Sequence, residues 1–140
     1  MPIMNDDQMV DMLKTSKTIA VVGLSPKPDR ASNMVAAYMQ RHGYTIIPIR
    51  PGIDEVLGEK AYATLEDIPS DIQVDIVDVF RRAEQTPEVC EAAVNIGAKH
   101  VWIQLGIANE DSMAICDKAG IPATQDLCLK IEHARLQSQL

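Results

Sequence analysis

Short apolar runs alternate with longer stretches of helical spacing along this chain. Residues 18–22 (TIAVV), 44–49 (YTIIPI), 74–79 (VDIVDV) and 100–103 (HVWI) are brief and rich in β-branched or aromatic side chains, as strands are. Between them lie amphipathic segments with helix punctuation. Asn5-Asp6-Asp7 opens a first helix striped by Met9, Val10, Met12 and Leu13. Residues 32–42 carry Val35, Tyr38 and Met39 at helical spacing and stop at Gly43. Thr86-Pro87 reads as an N-cap followed by proline at the first helical position, ahead of Val89, Ala92, Ala93 and Ile96. Asn109-Glu110-Asp111 caps a helix that stops at Gly120, and residues 129–136 form a last one. A short edge strand is expected near residues 60–62, a helical turn from Thr64, and a final strand at 121–124. Pro48 weakens the ladder near the end of its run. The acids of 74–79 are expected near the strand's ends or under loops.

Strand and helix alternating through short links predict right-handed crossovers and a mainly parallel, doubly wound α/β sheet covered on both faces. Residues 1–140 are expected to form a single domain, with an N-terminal helix within 1–14 packed on it. In such a sheet ligands bind beyond the carboxyl ends of the strands, where the strand order reverses.

That rule directs attention to the residues just after each strand. Residues 18–22 run into Gly23-Leu24-Ser25-Pro26-Lys27-Pro28-Asp29-Arg30-Ala31-Ser32 and then into a helix. A buried strand, a glycine turn and a helix N-terminus converge free N–H groups on one spot, which suits an anion. Gly23 stands alone, so the turn is not GxGxxG, and no GK[ST] comes after it. Three further clusters close strands: Arg50-Pro51-Gly52, Phe80-Arg81-Arg82 and Gln104-Leu105-Gly106.

Charge sharpens the picture. The net charge is −7, which argues against nucleic acid or an anionic membrane as a partner. Yet Lys27, Arg30, Arg50, Arg81 and Arg82 all fall just after strands, so an acidic body carries a basic rim suited to a small polyanion. No apolar run reaches the length of a membrane span, and no signal pattern opens the chain. Three scattered cysteines, Cys90, Cys116 and Cys128, without CxxC, fit a reducing, cytoplasmic setting.

Six stretches, in order, carry a resemblance: VVGLSPKPDRAS, IPIRP, EVLGEKAYATLEDIP, VDIVDVFRR, IGAKHVWIQLG and CLKIEHARL. Over roughly residues 15–136 the chain resembles the small CoA-binding proteins related to the N-terminal CoA-binding domain of succinyl-CoA synthetase alpha subunits. The resemblance implies a Rossmann-like site for coenzyme A or an acyl-CoA. Gly23, Ser25, Pro26, Lys27, Arg30 and Ser32 would cradle phosphates, and Arg50 and Pro51 would border the adenosine end. Phe80 and Arg81 would wall the cleft, with Gln104, Leu105 and Gly106 bordering the ligand from the next strand. Arg50 departs from the small polar residue expected there. In the synthetases catalysis also needs a second domain with a phosphorylated histidine and a partner subunit. His133 lies in a different motif, so the chain is expected to bind without catalysis of its own.

Plainer readings stand beside these. Phe80 and Trp102 suit a core, and one of Arg81 and Arg82 suits a solvated helix start. Cys128 is either packing or a thiol near the pantetheine end, able to exchange with a CoA thiol. Glu132 and His133 are either an acid–base pair or an anchor for the last helix. His42 and His100 lack metal-ligand spacing, and no nucleophile–base pair is evident. An NADP-dependent reductase is the rival from another class, because Arg50 stands where NAD sites place an acid. A third reading is a ligand-gated module that contacts another protein.

Overall fold

The computed structural model describes residues 4–140. The first three residues of the expected N-terminal segment 1–14 lie outside the described residues. Strands β1 (Thr18–Val22), β2 (Thr45–Ile49), β5 (Ile76–Val79), β6 (His100–Ile103) and β7 (Ala123–Thr124) form one sheet in the order β2-β1-β5-β6-β7. Every pairing in it is parallel. Strands β3 (Glu55–Val56) and β4 (Glu59–Lys60) make a separate antiparallel hairpin, turned by Leu57 and Gly58 at positive φ. The edge strand expected at 60–62 is therefore mostly this hairpin. Only Tyr62 bridges to Ile49 beside β2.

Alternation along each strand sorts the apolar side chains into two layers. Ile19, Val21, Ile46, Ile76 and Trp102 face the helices α1 (Asp6–Thr15), α2 (Ala31–Arg41) and α5 (Leu129–Leu136). Ala20, Val22, Ile47, Ile49, Val77, Val79, Val101 and Ile103 face α3 (Thr86–Asn95) and α4 (Glu110–Lys118). The doubly wound, mainly parallel sheet expected from the alternation is thus the fold. Trp102 is fully buried and its indole N–H donates to the Leu127 carbonyl at 2.8 Å, so it serves the core. Pro48 is tolerated because β2 is an edge strand.

Helix ends obey the expected chemistry at two sites and depart from it at a third. Asn5 caps α1 in a capping box with Gln8, and Asn109 caps α4 through Ser112 N–H. Thr86, expected as an N-cap, is instead the first residue of α3 and comes after a 3₁₀ turn over Ala83–Gln85. Its hydroxyl donates to the Ala83 carbonyl and meets Ser112 Oγ at 2.7 Å, so it ties α3 to α4.

The chain runs from β1 to β2 on one side and later returns to β5 on the other. The order reverses between β1 and β5, which opens a crevice above their carboxyl ends.

Candidate functional site

A cleft of about 400 Å³ lies at that reversal, lined by Gly23, Ser25, Pro26, Lys27, Arg30, Ala31, Ser32, Arg50 and Phe80. Its floor depends on a close approach. Gly23 N–H donates to Ile49 O and Phe80 N–H to Val22 O, each at 2.9 Å, which draws three strand ends together. Gly23 has φ +84°, and a Cβ there would lie 2.3 Å from the Phe80 carbonyl oxygen. Only glycine fits, for reasons of both backbone sterics and space.

The loop above the floor is braced by its own serines. Ser25 N–H donates to Ser32 Oγ at 2.9 Å, Lys27 N–H to Ser25 Oγ at 3.1 Å, and Asn33 Nδ2 to Ser25 O at 2.9 Å. Ser25 and Ser32 shape the turn as well as lining it. Asn33, buried beside them, was missed in the sequence because an asparagine inside the first turn of a helix carries no ligand signal. Ala31 also lines the cleft and contributes only its backbone position to the reading.

Helix α2 starts at this cleft. Its N-cap residue, Arg30, makes no side-chain cap bond, and its first turn holds no acid, whereas α1 and α4 have asparagine caps and two acids each. The first N–H groups of α2 and the positive end of its dipole therefore stay available at the cleft wall. Lys27, Arg30 and Arg50 add three cations, none of which belongs to an ion pair among the described residues. Arg50 is held by its backbone N–H, which donates to Tyr62 O at 2.8 Å. The wall thus gathers three cations, and no acid is among the residues that line it, although Asp29 stands exposed in the same loop. Phe80 lines the cleft while packing on the core beneath, so it is both core and wall.

The other expected site residues are placed differently. Arg81 borders an adjacent cleft of about 290 Å³ on the α3 side and donates to Gln85 Oε1 at 3.2 Å. Arg82 is exposed and pairs with Glu84 at 3.5 Å, the solvated member of the arginine pair. Pro51 is exposed and outside the residues lining the cleft. Gln104 is buried and its Oε1 accepts from Leu129 N–H at 3.1 Å, joining β6 to the start of α5. Leu105 is 60% exposed, and Gly106 N–H donates to Asp126 Oδ1 at 2.7 Å. Cys128 is the half-buried N-cap residue of α5. His133 Nδ1 meets Tyr38 Oη at 2.8 Å inside the α2–α5 contact, so it anchors that helix.

A profile described as CoA binding domain matches residues 17–134. The chain belongs to the CoA binding domain family. Two similar proteins match over nearly their whole length, and two enzymes over only a part of theirs. The uncharacterized Bacillus subtilis protein YneT is 46% identical over 127 residues, covering 91% of this chain and 93% of that one. A hypothetical protein from Pyrococcus horikoshii superposes with a TM-score of 0.91 at 38% identity, over 96% of this chain and 93% of that chain. The ADP-forming acetate–CoA ligase I of Archaeoglobus fulgidus is 24% identical over 121 residues, and the chain spans 18% of that enzyme's length. A dinucleotide-forming acetyl-coenzyme A synthetase of Ca. Korarchaeum cryptofilum shares the fold, with a TM-score of 0.71 at 20% identity over 81% of this chain and 27% of that chain. The family membership expected from the six sequence stretches therefore holds.

Proposed function

We propose that this protein binds coenzyme A or an acyl-CoA along the carboxyl edge of its sheet, and does so without catalysis of its own. The observation that carries the reading is the uncapped start of α2 facing three unpaired cations at the strand reversal, in a chain of the CoA binding domain family. The donor set suits a ligand with several phosphates. Lys27, Arg30 and the α2 N–H groups would hold the pyrophosphate, and Arg50 the 3′-phosphate at the adenosine end near Pro51. Gln104, Leu105 and Gly106 would border the pantetheine arm beyond Phe80, with Arg81 behind the wall. The cleft lining contains no acid, histidine or thiol, which fits a binder rather than a transferase. Residues 1–140 would act as one binding unit, in a cytoplasmic setting that keeps Cys90, Cys116 and Cys128 reduced. Among the described residues no helix is long and apolar enough to cross a membrane.

Calorimetry and thermal melts with CoA, acetyl-CoA, dephospho-CoA and NADP test this reading. CoA should raise the melting temperature by mass action, and dephospho-CoA should do so less because a phosphate contact is missing. Strong binding of NADP with none of CoA would replace this reading with the nicotinamide one.

A further inference from the structure

Asp78 is a carboxylic acid that the cleft does not use. It is the third residue of β5, a central strand, and is 1% exposed. Neither of its carboxyl oxygens has a hydrogen-bond partner. Its register neighbours are Val21 on β1 and Trp102 on β6. Strand alternation puts Asp78 on the same face as Phe80, about 7 Å beneath that cleft wall at roughly 3.3 Å per residue.

No charge reaches it from the elements on this face. Helix α1 contributes Met9, Met12 and Leu13 to the core and keeps Asp6, Asp7, Asp11 and Lys14 exposed. On α2, Tyr38 is bonded to His133 and stacked on the exposed His42, and Arg41 is exposed. On α5, Lys130 lies over Tyr38, while Glu132 and Arg135 bond one another and Arg135 reaches Asp6. Lys27, Asp29 and Arg30 sit on the exposed loop above, and the hairpin keeps Glu55 and Lys60 exposed and Glu59 half-buried. Tyr44 donates its hydroxyl to the Leu13 carbonyl, and Cys128 is half-buried at the start of α5. A lone buried carboxylate without partners is far costlier than the neutral acid. Burial alone pushes the Asp78 carboxyl well above its usual range.

We propose that Asp78 keeps its proton in the folded protein and that this proton is linked to occupancy of the cleft above, so that an anionic ligand binds the protonated form and loses affinity when Asp78 ionises. A carboxylate beneath the cleft would repel the phosphates that Lys27 and Arg30 attract. Linkage is reciprocal, so the ligand in turn strengthens proton binding. The coupling rests on CoA binding as proposed above, whereas the retained proton does not.

Two measurements separate these parts. An unfolded aspartate titrates near about 3.9, so above that pH the folded wild type holds one more proton than the unfolded chain. Its stability therefore declines as pH rises toward the folded value, and Asp78→Asn escapes that decline. Without ligand, the melting-temperature advantage of Asp78→Asn should widen from pH 4 upward. A gap that stays constant to the alkaline limit of folding overturns the retained proton. If the variant fails to fold, carbon-13 NMR of wild type labelled at aspartate carboxyls decides: one carboxyl should remain protonated at pH 7, and full ionisation of all of them overturns the idea. CoA titrations of both proteins then test the coupling. Their affinities should match at acidic pH and differ roughly fivefold or more at the alkaline end, within the usual range of such couplings. An unchanged ratio, with CoA bound by both, overturns the linkage. Absence of CoA binding by either protein at every pH removes the ligand reading and the linkage with it, while the melting gap still decides the proton.

Discussion

Single residues of the cleft carry different burdens. Arg30 is exposed and unpaired, so Arg30→Ala should leave the melting temperature almost unchanged. CoA affinity should fall by about 1.5–3 kcal/mol, the range for hydrogen bonds to charged groups, as read by calorimetry. A folded variant with unaltered affinity removes Arg30 from the site. Gly23 is the opposite case. Gly23→Ala would meet the Phe80 carbonyl at 2.3 Å with φ at +84°, so urea unfolding should show a loss of at least about 1–3 kcal/mol. Arg30 was legible as a cation after a strand and Gly23 as a turn glycine, but the Phe80 carbonyl that also demands glycine there comes from the end of β5, distant in the chain. The thiols divide in the same way. Cys90 and Cys116 are fully buried between α3 and α4, and Cys116 is pushed up by the adjacent Cys90 and by burial. Cys128 is half-buried at the start of α5. A water-soluble thiol reagent should label Cys128 first in the folded protein, and equal labelling of all three would place Cys128 in the packing.

At the scale of elements, the two asparagine caps were legible because their partners lie within one turn. The role of Thr86 was not, since its hydroxyl answers to Ser112 on another helix. The seating of α5 is likewise a long-range matter. His133 is buried against Tyr38, and burial, with the nearby His42, holds its imidazole below its usual value. The folded protein thus keeps His133 neutral where the unfolded chain, titrating near about 6.5, takes up a proton. Stability should be full above that value and decline as pH falls through it. Thermal melts between pH 8 and pH 5 should show the decline, and His133→Gln should flatten it. An identical slope in the variant would mean that other groups, such as His100, set the acid limb. His100 is also held low, chiefly by burial.

For the whole molecule, the sheet order places everything of interest at one edge. Bound CoA should slow amide exchange in the Gly23–Ser32 loop, the first turn of α2 and the ends of β2 and β5. The hairpin at 55–60 and the α3–α4 pair should exchange as before. Protection centred on α3 and α4 would move the site to the other face. Gln104 and Gly106 are the instructive pair in this respect. Their position after a strand marked them as candidates, yet Gln104 Oε1 accepts from Leu129 N–H and Gly106 N–H donates to Asp126 Oδ1.

By itself the sequence determined the alternation of strand and helix, the two-sided burial of the strands, the caps at Asn5 and Asn109, and the basic loop that begins at Gly23. Those features are local: period-two and period-3.6 patterns and short-range polar bonds act within a few residues. Tertiary structure alone decided which strand ends meet. The β1–β5 adjacency sets Gly23 against Phe80, directs the α2 start and Arg50 into one cleft, and leaves Arg81 and Pro51 outside its lining. It also strands Asp78 between Val21 and Trp102 with no partner, because its surroundings are supplied by strands distant in the chain.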